Sequence, residues 1–342
     1  MTENAAAWIT APAEYPFKIQ NAAKPKPGPG EVVIKNVAVA INPVDWKIQS
    51  LGRYLNQYPF VLGQDAAGFI EDVGSGVTRF KKGQRVIAHC YGLLTQDPAH
   101  GAFQLYPVTA ESLVAEIPES LTFEQAVVLP LAVSTASAGL YRKDYLNLPF
   151  PEADDVKSTD KVLLVWGGAS SVGASAIQLA VASGLTVFTT ASEANREFVK
   201  SLGAHAVFDY RSSTVVEDIS RALRGLNFAG VYDAIAEEPS FAAISEIFDT
   251  LDTKVPVASV LPCDRPTERF IPQYVIAYSI IQEPHNDIGD WIWGKYLPRA
   301  LANGAFQAKP DPYVVGHGLK TIQHGLDVQK KGVSAKKVIV TL

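Results

Sequence analysis

The stretch KVLLVWGGASSVGASAIQLA, beginning at Lys161, sets a short apolar run directly before Gly167 and a helix-like run directly after Gly173. Glycines at such a strand-to-helix turn let backbone N–H groups approach a pyrophosphate at the positive end of the helix. The hydroxyls of Ser170 and Ser171 add donors, so Ser170, Ser171, Val172 and Gly173 form a candidate dinucleotide cradle. A merely structural turn is the competing reading. The residues after the following strand bear on the choice of cofactor. An NAD-selective site places Asp or Glu there for the ribose 2′-hydroxyl, whereas this chain reads TTASEANR, with Ser192 at the tip and Arg196 one turn later. A small hydroxyl and a guanidinium suit a 2′-phosphate, so NADPH is expected. Glu193 argues the other way, and a plain helix cap made by Glu193 and Arg196 competes with this reading. Tyr210, closing AHAVFDY, either lines the adenosine side or packs.

Other reactive side chains are sparse. Cys90 and Cys263 lie far apart, which excludes a disulfide framework and a thiolate zinc cluster, and both are expected as buried small hydrophobes. His89 beside Cys90 does not complete a metal set.

The elements that must position these groups fall into two textures. Up to about residue 120, alternating or apolar runs (EVVIKNVAVAI, AAGFIEDV, QRVIAHC) are separated by Gly, Pro and Asp, as in a partly open barrel. FEQAVVLPLAVSTASAGLYR then has helical spacing, and the polar segment Asp144 to Asp160 reads as a surface connection. From Lys161 onward short apolar strands alternate with helices, and GVYDAIA and VPVASVL add two more strands, implying a doubly wound parallel sheet. A chain of 342 residues, 47% hydrophobic and 19% charged, is long enough for two such domains. The formal charge of −5 argues against nucleic acid or anionic lipid as a main partner. No apolar run is seen that reaches the roughly 20 residues of a membrane span, and no leader pattern opens the chain, so a cytoplasmic protein is expected.

AVAINPVDWKIQSLGRY from Ala38, followed by VLGQDAAGFIEDVGSGVTRFKKGQRV, resembles the N-terminal domain of medium-chain dehydrogenases/reductases, and GGASSVG with LGAHAVFDY resembles the same superfamily. NPVDWK, DYR and the closing VSAKKVIV are similar to zinc-free fungal reductases that include trans-acting enoyl reductases partnering polyketide synthases. The resemblance implies an α/β chain: a GroES-like partly open β-barrel catalytic domain over 1–127 and 283–342, and a Rossmann domain over 128–282. Zinc members carry a cysteine near Asn42 to Asp45 and a His-Glu pair where Gln64 and Asp65 stand; neither is present, so no metal is expected.

The resemblance further implies that Pro43, Val44, Asp45 and Trp46 face the nicotinamide ribose and diphosphate, and that Thr135, Val260 and Leu261 lie by the nicotinamide. It places Ser192, Asn195 and Tyr210 around the 2′-phosphate, and Val333 with Ser334 closing the site. Lys47 matches the lysine after NPVDW in the trans-acting reductases, and Tyr54 stands where enoyl reductases often place a tyrosine. Lys47, Tyr54 and Asn42 are thus the candidate proton or hydrogen-bond donors, against surface lysine, packed rim aromatic and turn-stabilising side chain as competing roles.

Reduction of an isolated ketone concentrates charge on one oxygen, which a metal or strong acid stabilises. Hydride delivery to the β-carbon of an enone or enoyl thioester spreads charge into an enolate, for which a donor suffices. The expected activity is therefore NADPH-dependent, zinc-independent reduction of a small apolar α,β-unsaturated carbonyl, presented freely or on a polyketide synthase acyl carrier, by a monomer or homodimer. RFIPQYVIAYSII, from Arg269, supplies apolar side chains for a substrate wall or simply for core. Carbonyl or quinone reduction and non-catalytic NADPH binding, as in crystallin relatives, are the alternatives.

Overall fold

EVVIKNVAVA forms the ten-residue strand Glu31–Ala40, buried along most of its length, because it lies in the middle of a sheet and carries β-branched side chains at Val32, Val33, Ile34, Val37 and Val39. In the computed structural model, which describes residues 3–342, this strand belongs to a unit made of Met1–Leu131 and Ala308–Leu342. Its sheet runs in the order Asp311–His317, Lys336–Thr341, Glu31–Ala40, Asp65–Val73, Arg85–His89 and Val114–Glu116, with Val108–Ala110 also paired to Glu31–Ala40. A second sheet joins Lys18–Ala22, Asn4–Ile9 and Phe60–Val61. Ile34, Val39, Ile41, Phe60, Val86 and Phe103 fill the core.

The register of the larger sheet matters for chemistry. Ala40 lies opposite both Asp65 and Ile339, and Asp65 lies opposite His89. Asn42, two residues past Ala40, and Lys337, two residues before Ile339, are therefore brought to the same end of the sheet as Asp65 and His89.

The second unit, Ala132–Gln307, has a six-stranded parallel sheet in the order Ala206–Phe208, Thr186–Thr190, Lys161–Trp166, Asn227–Asp233, Val257–Ser259, Gln273–Tyr274. Numbered along the chain, this is 3-2-1-4-5-6, the order of dinucleotide-binding sheets. VLLVW is apolar throughout because helices cover both faces of a parallel sheet, and Leu163, Leu164 and Val165 are fully buried. The chain reverses its direction of travel across the sheet between strands Lys161–Trp166 and Asn227–Asp233, which is where α/β sheets bind ligands.

Two expectations shift. Residues 283–307 pack with this second unit, not with the first: Trp293 is fully buried with its indole N–H donated to Ser134 Oγ at 3.1 Å, and Trp291 donates to the Pro151 carbonyl at 3.0 Å. Apolar side chains of the helices Asn286–Trp291 and Leu297–Asn303, among them Ile288, Leu297, Ala300 and Leu301, account for that preference. The first domain thus resumes near Ala308, and its other boundary lies at Leu131. The helical stretch Phe123–Tyr141 is also 19 residues long and contains an 18-residue window of mean hydropathy 1.3, long and apolar enough by composition to span a bilayer, but 72% of that window is buried within the protein, as in a core helix.

Candidate functional site

In the second unit the glycine-rich turn is shaped by close approach. Gly167 has φ +81°, and a Cβ there would sit 2.4 Å from Ile235; a Cβ on Gly173 would lie 2.2 Å from the Gly167 carbonyl oxygen. Only glycine permits these contacts. The Gly167 and Gly168 amides donate to Thr190, to its hydroxyl and its carbonyl respectively, each at 2.9 Å, which pins the turn to the neighbouring strand. Ser170 caps the helix Ser171–Ala182, its Oγ accepting the Gly173 amide at 3.0 Å. The Gly173 N–H is therefore spent inside the turn. The amides of Ser171 and Val172, in the helix's first turn, and the Ser170 hydroxyl proton remain to meet a pyrophosphate.

Asp233, at the carboxyl end of its strand and fully buried, was not singled out in the sequence. Its Oδ1 accepts the Ile235 and Ala236 amides at 3.0 and 2.8 Å, and its Oδ2 accepts the Ser240 hydroxyl at 2.7 Å. Burial pushes its carboxyl pKa up, opposed by these hydrogen bonds. The bracket holds Ile235 against Gly167. The signal was available: an aspartate ending an apolar strand, seven residues before a serine.

At the far end of the turn Ser192 is buried, and Asn195 follows it in a short helical turn. Arg196 is committed elsewhere: its Nε donates to Glu193 at 2.8 Å, and another guanidinium N–H donates to the Val207 carbonyl at 2.8 Å. The pair expected as a competing helix contact is thus present. Tyr210 is 45% exposed, with the Arg211 guanidinium 5.2 Å from its ring centroid. Thr135 is buried, its carbonyl accepting the Tyr232 hydroxyl at 2.8 Å. Val260 and Leu261 follow the end of the fifth strand, where the Val260 amide donates to Asp233 and the Leu261 carbonyl accepts from Ser259.

The first unit gathers a different set. Asn42 precedes the helix Pro43–Leu51, and its backbone amide donates to Asp45 Oδ2 at 2.8 Å. Its side-chain Nδ2 donates to Asp65 Oδ2 at 2.7 Å, while its Oδ1 accepts from Lys337 Nζ at 2.5 Å. Lys337 also pairs with Asp65 at 3.0 Å, and Asp65 Oδ1 accepts the Leu131 amide at 2.6 Å. Asn42, Asp45, Asp65, His89 and Lys337 are all buried.

Burial pushes the Asp45 carboxyl up to about 7, reinforced by Asp65 and opposed by the Asn42 amide and Lys337. Burial, and then the charge of Lys337, pull His89 down to about 3. Burial and the Asp65 charge push the Cys90 thiol up. The Asn42 amide is held at both ends by charged partners, a bonding different from that of a substrate donor. Lys337 and Asp65 were missed as functional residues; a lysine inside the buried run KVIV was the signal.

Lys47 and Tyr54 stand outside this network. Lys47 is half-buried, 5.8 Å from the Trp46 ring centroid, and Trp46 donates its indole N–H to Gln329 with Lys330 over the same ring at 5.5 Å. Tyr54 is 63% exposed at φ +72°, in a loop where Gln96 donates to its carbonyl at 3.3 Å and accepts the Asn56 amide at 2.8 Å. Pro43 is exposed and Val44 half-buried; Val333 is half-buried on the core and Ser334 is exposed.

Known proteins align with this arrangement. Residues 28–119 match the alcohol dehydrogenase GroES-like domain and residues 171–273 match the zinc-binding dehydrogenase family. The trans-enoyl reductase himH of Aspergillus japonicus is 45% identical over 316 residues, 91% of this chain and 90% of its own, and the dehydrogenase pigH of Monascus ruber is 41% identical with both chains fully covered. An alcohol dehydrogenase superfamily protein from Novosphingobium aromaticivorans superposes with TM-score 0.78 and 25% identity over the whole of both chains.

The second family description raises zinc, and the donors present do not fit it. Zinc takes about four deprotonated N, S or O ligands in a tetrahedron. The cluster instead offers a carboxylate and an amide oxygen already bonded to an ammonium, next to a thiol whose pKa is raised. Among the described residues no group of three or more His, Cys, Asp and Glu side chains is placed to hold a metal ion.

Proposed function

The chain belongs to the medium-chain dehydrogenase/reductase family, an oxidoreductase family that uses a nicotinamide cofactor, and on that premise we propose that it reduces the C=C bond of an α,β-unsaturated carbonyl with NADPH. The observation that carries this reading is the bonding of Lys337, the one lysine or arginine buried among the described residues, to Asp65 and Asn42. A negative charge building on an isolated carbonyl oxygen gains little from an ammonium already neutralised by a carboxylate. An enolate, whose charge is delocalised, needs only a positioned donor. The similarity to a trans-enoyl reductase over 91% of the chain supports the same reaction; on this reading the acceptor is an apolar enone or an enoyl thioester on a polyketide synthase carrier, in the cytoplasm of a fungal cell making a secondary metabolite.

When bound, NADPH would supply the hydride; the Ser171 and Val172 amides and the Ser170 hydroxyl would hold its diphosphate, and Ser192 and Tyr210 would take the 2′-phosphate. Lys47 holds the proton destined for the α-carbon. The test is product analysis after incubation with NADPH and a crotonyl thioester, with a saturated ketone supplied in parallel. The saturated thioester is expected. An alcohol from the ketone, or tight NADPH binding without turnover, would overturn the reading. Lys47→Met should lower kcat by about 100-fold, the lower range for a general acid.

A further inference from the structure

Asp65 is a carboxylate with no exposed surface, and a buried carboxylate is tolerated only when its charge and its lone pairs are both satisfied. Here the Leu131 amide serves Oδ1, and the Asn42 amide and the Lys337 ammonium serve Oδ2. The same ammonium donates to Asn42 Oδ1, so one cation fixes both the carboxylate and the orientation of the amide beside it. Lys337 lies on the strand Lys336–Thr341, Asn42 immediately before the helix Pro43–Leu51, and Leu131 in the first turn of the helix Pro130–Tyr141. Three segments remote in sequence therefore converge on one carboxylate.

We propose that the Lys337 ammonium is the resident cation of this unit, standing in for a metal as the positioning centre that locks Asn42 and Asp65 and thereby sets the start of the helix bearing Lys47. Lys337 occupies Asp65 Oδ2 and Asn42 Oδ1, and its charge neutralises the carboxylate whose other oxygen accepts the Leu131 amide, so the pair offers a divalent ion no uncompensated charge. Lys337 is a positioning residue and touches no reacting atom. Its effect on turnover rests on the function proposed above; its effects on metal content and stability do not.

The experiment measures zinc per chain, thermal midpoint and NADPH-dependent kinetics for the full-length protein, Lys337→Met, Lys337→Arg and the charge-balanced pair Lys337→Met with Asp65→Asn. The purified protein is expected to hold well under one zinc per chain and to keep its midpoint and rate in millimolar EDTA. Lys337→Met should lower the midpoint by roughly 5 °C or more, since it leaves an unpaired buried charge. It should lower kcat about tenfold while KM for NADPH changes less than about threefold, because the amides and hydroxyl of the dinucleotide cradle belong to the other unit. Lys337→Arg should recover part of kcat, and the charge-balanced pair should recover the midpoint without recovering kcat. Stoichiometric zinc, or EDTA sensitivity, overturns the proposal. So does a Lys337→Met protein with an unchanged midpoint and kcat, or a charge-balanced pair that regains full kcat. If Lys337→Met alone does not fold, the arginine variant and the charge-balanced pair decide. If the unsubstituted protein reduces no acceptor, the reaction reading fails, while zinc content and midpoint still judge the cation.

Discussion

The two units place their polar groups by opposite means. In the second, the groups suited to a phosphate are backbone amides, set by the left-handed φ of Gly167, the close approach of Gly173 to the Gly167 carbonyl, and hydrogen bonds to Thr190. In the first, the convergent groups are buried side chains of Asn42, Asp45, Asp65 and Lys337, built around the Lys337–Asp65 ion pair. A backbone cradle cannot accept added volume but is indifferent to most changes of charge. A buried side-chain cluster is the reverse: its shape can relax, whereas an unbalanced charge cannot be rehydrated.

The volume side of this comparison gives the largest expected effect. In Gly173→Ala the new methyl would lie 2.2 Å from the Gly167 oxygen and 2.9 Å from the Gly168 Cα, both backbone atoms that cannot swing aside. Opening the turn displaces the amides of Ser171 and Val172, so NADPH affinity should fall about 100-fold or more, with a stability loss of roughly 1–3 kcal/mol for the overpacking. A fluorescence titration reads the first and thermal unfolding the second. An unchanged dissociation constant would show that the cradle is set by something other than glycine geometry.

The charge side predicts opposing pH dependences. Asp45 has its pKa raised from 3.8 to about 7 in the folded protein, so the folded state holds the extra proton between those values. Its contribution is present below pH 3.8 and is lost as pH rises to 7, a few kcal/mol at most. His89, lowered from 6.5 to about 3, acts in the other sense: its contribution is present above pH 6.5 and is lost as pH falls to 3. Between pH 4 and 6.5 the two offset each other. Asp45→Asn removes the first and should unmask the second, giving a thermal midpoint that climbs between pH 4 and 6.5 and a more stable protein at pH 8. A midpoint that stays flat or falls toward neutral pH in this variant would place the dominant titration elsewhere.

The same contrast explains how much was legible in the sequence. The cradle was readable because a strand, a glycine turn and a helix follow one another within twenty residues, from Lys161 to Ala180. The larger barrel strands were readable from their apolar runs. The Lys337 cluster was not, because Lys337 meets Asn42 across 295 residues of chain, and the contact depends on the register that sets Ile339 against Ala40. Asp233 escaped for a similar reason: a strand-ending aspartate reads as turn chemistry until its three hydrogen bonds to the Ile235–Ser240 segment are seen. The domain boundary moved because the helices of 283–307 announce their apolar faces but not which unit covers them.

The adenosine end of the second unit lies between these extremes, with exposed charged side chains, and should show the smallest effects. Arg196 was the cation expected to hold a 2′-phosphate, yet its guanidinium is already engaged by Glu193 and the Val207 carbonyl. Arg211 is exposed and stacked over Tyr210, so its charge is available to an anion beside that ring. Arg211→Ala should therefore raise the NADPH dissociation constant about fivefold, the value of roughly 1 kcal/mol for one solvent-exposed charge contact, while leaving NADH binding unchanged. Arg196→Ala should change either by less than about twofold, because its guanidinium is already engaged by Glu193 and the Val207 carbonyl. Calorimetric titration of both nucleotides into both variants checks the order. A larger loss from Arg196→Ala, confined to NADPH, would mean that the Glu193 pair opens for the phosphate and that this end behaves as a charge-driven site after all.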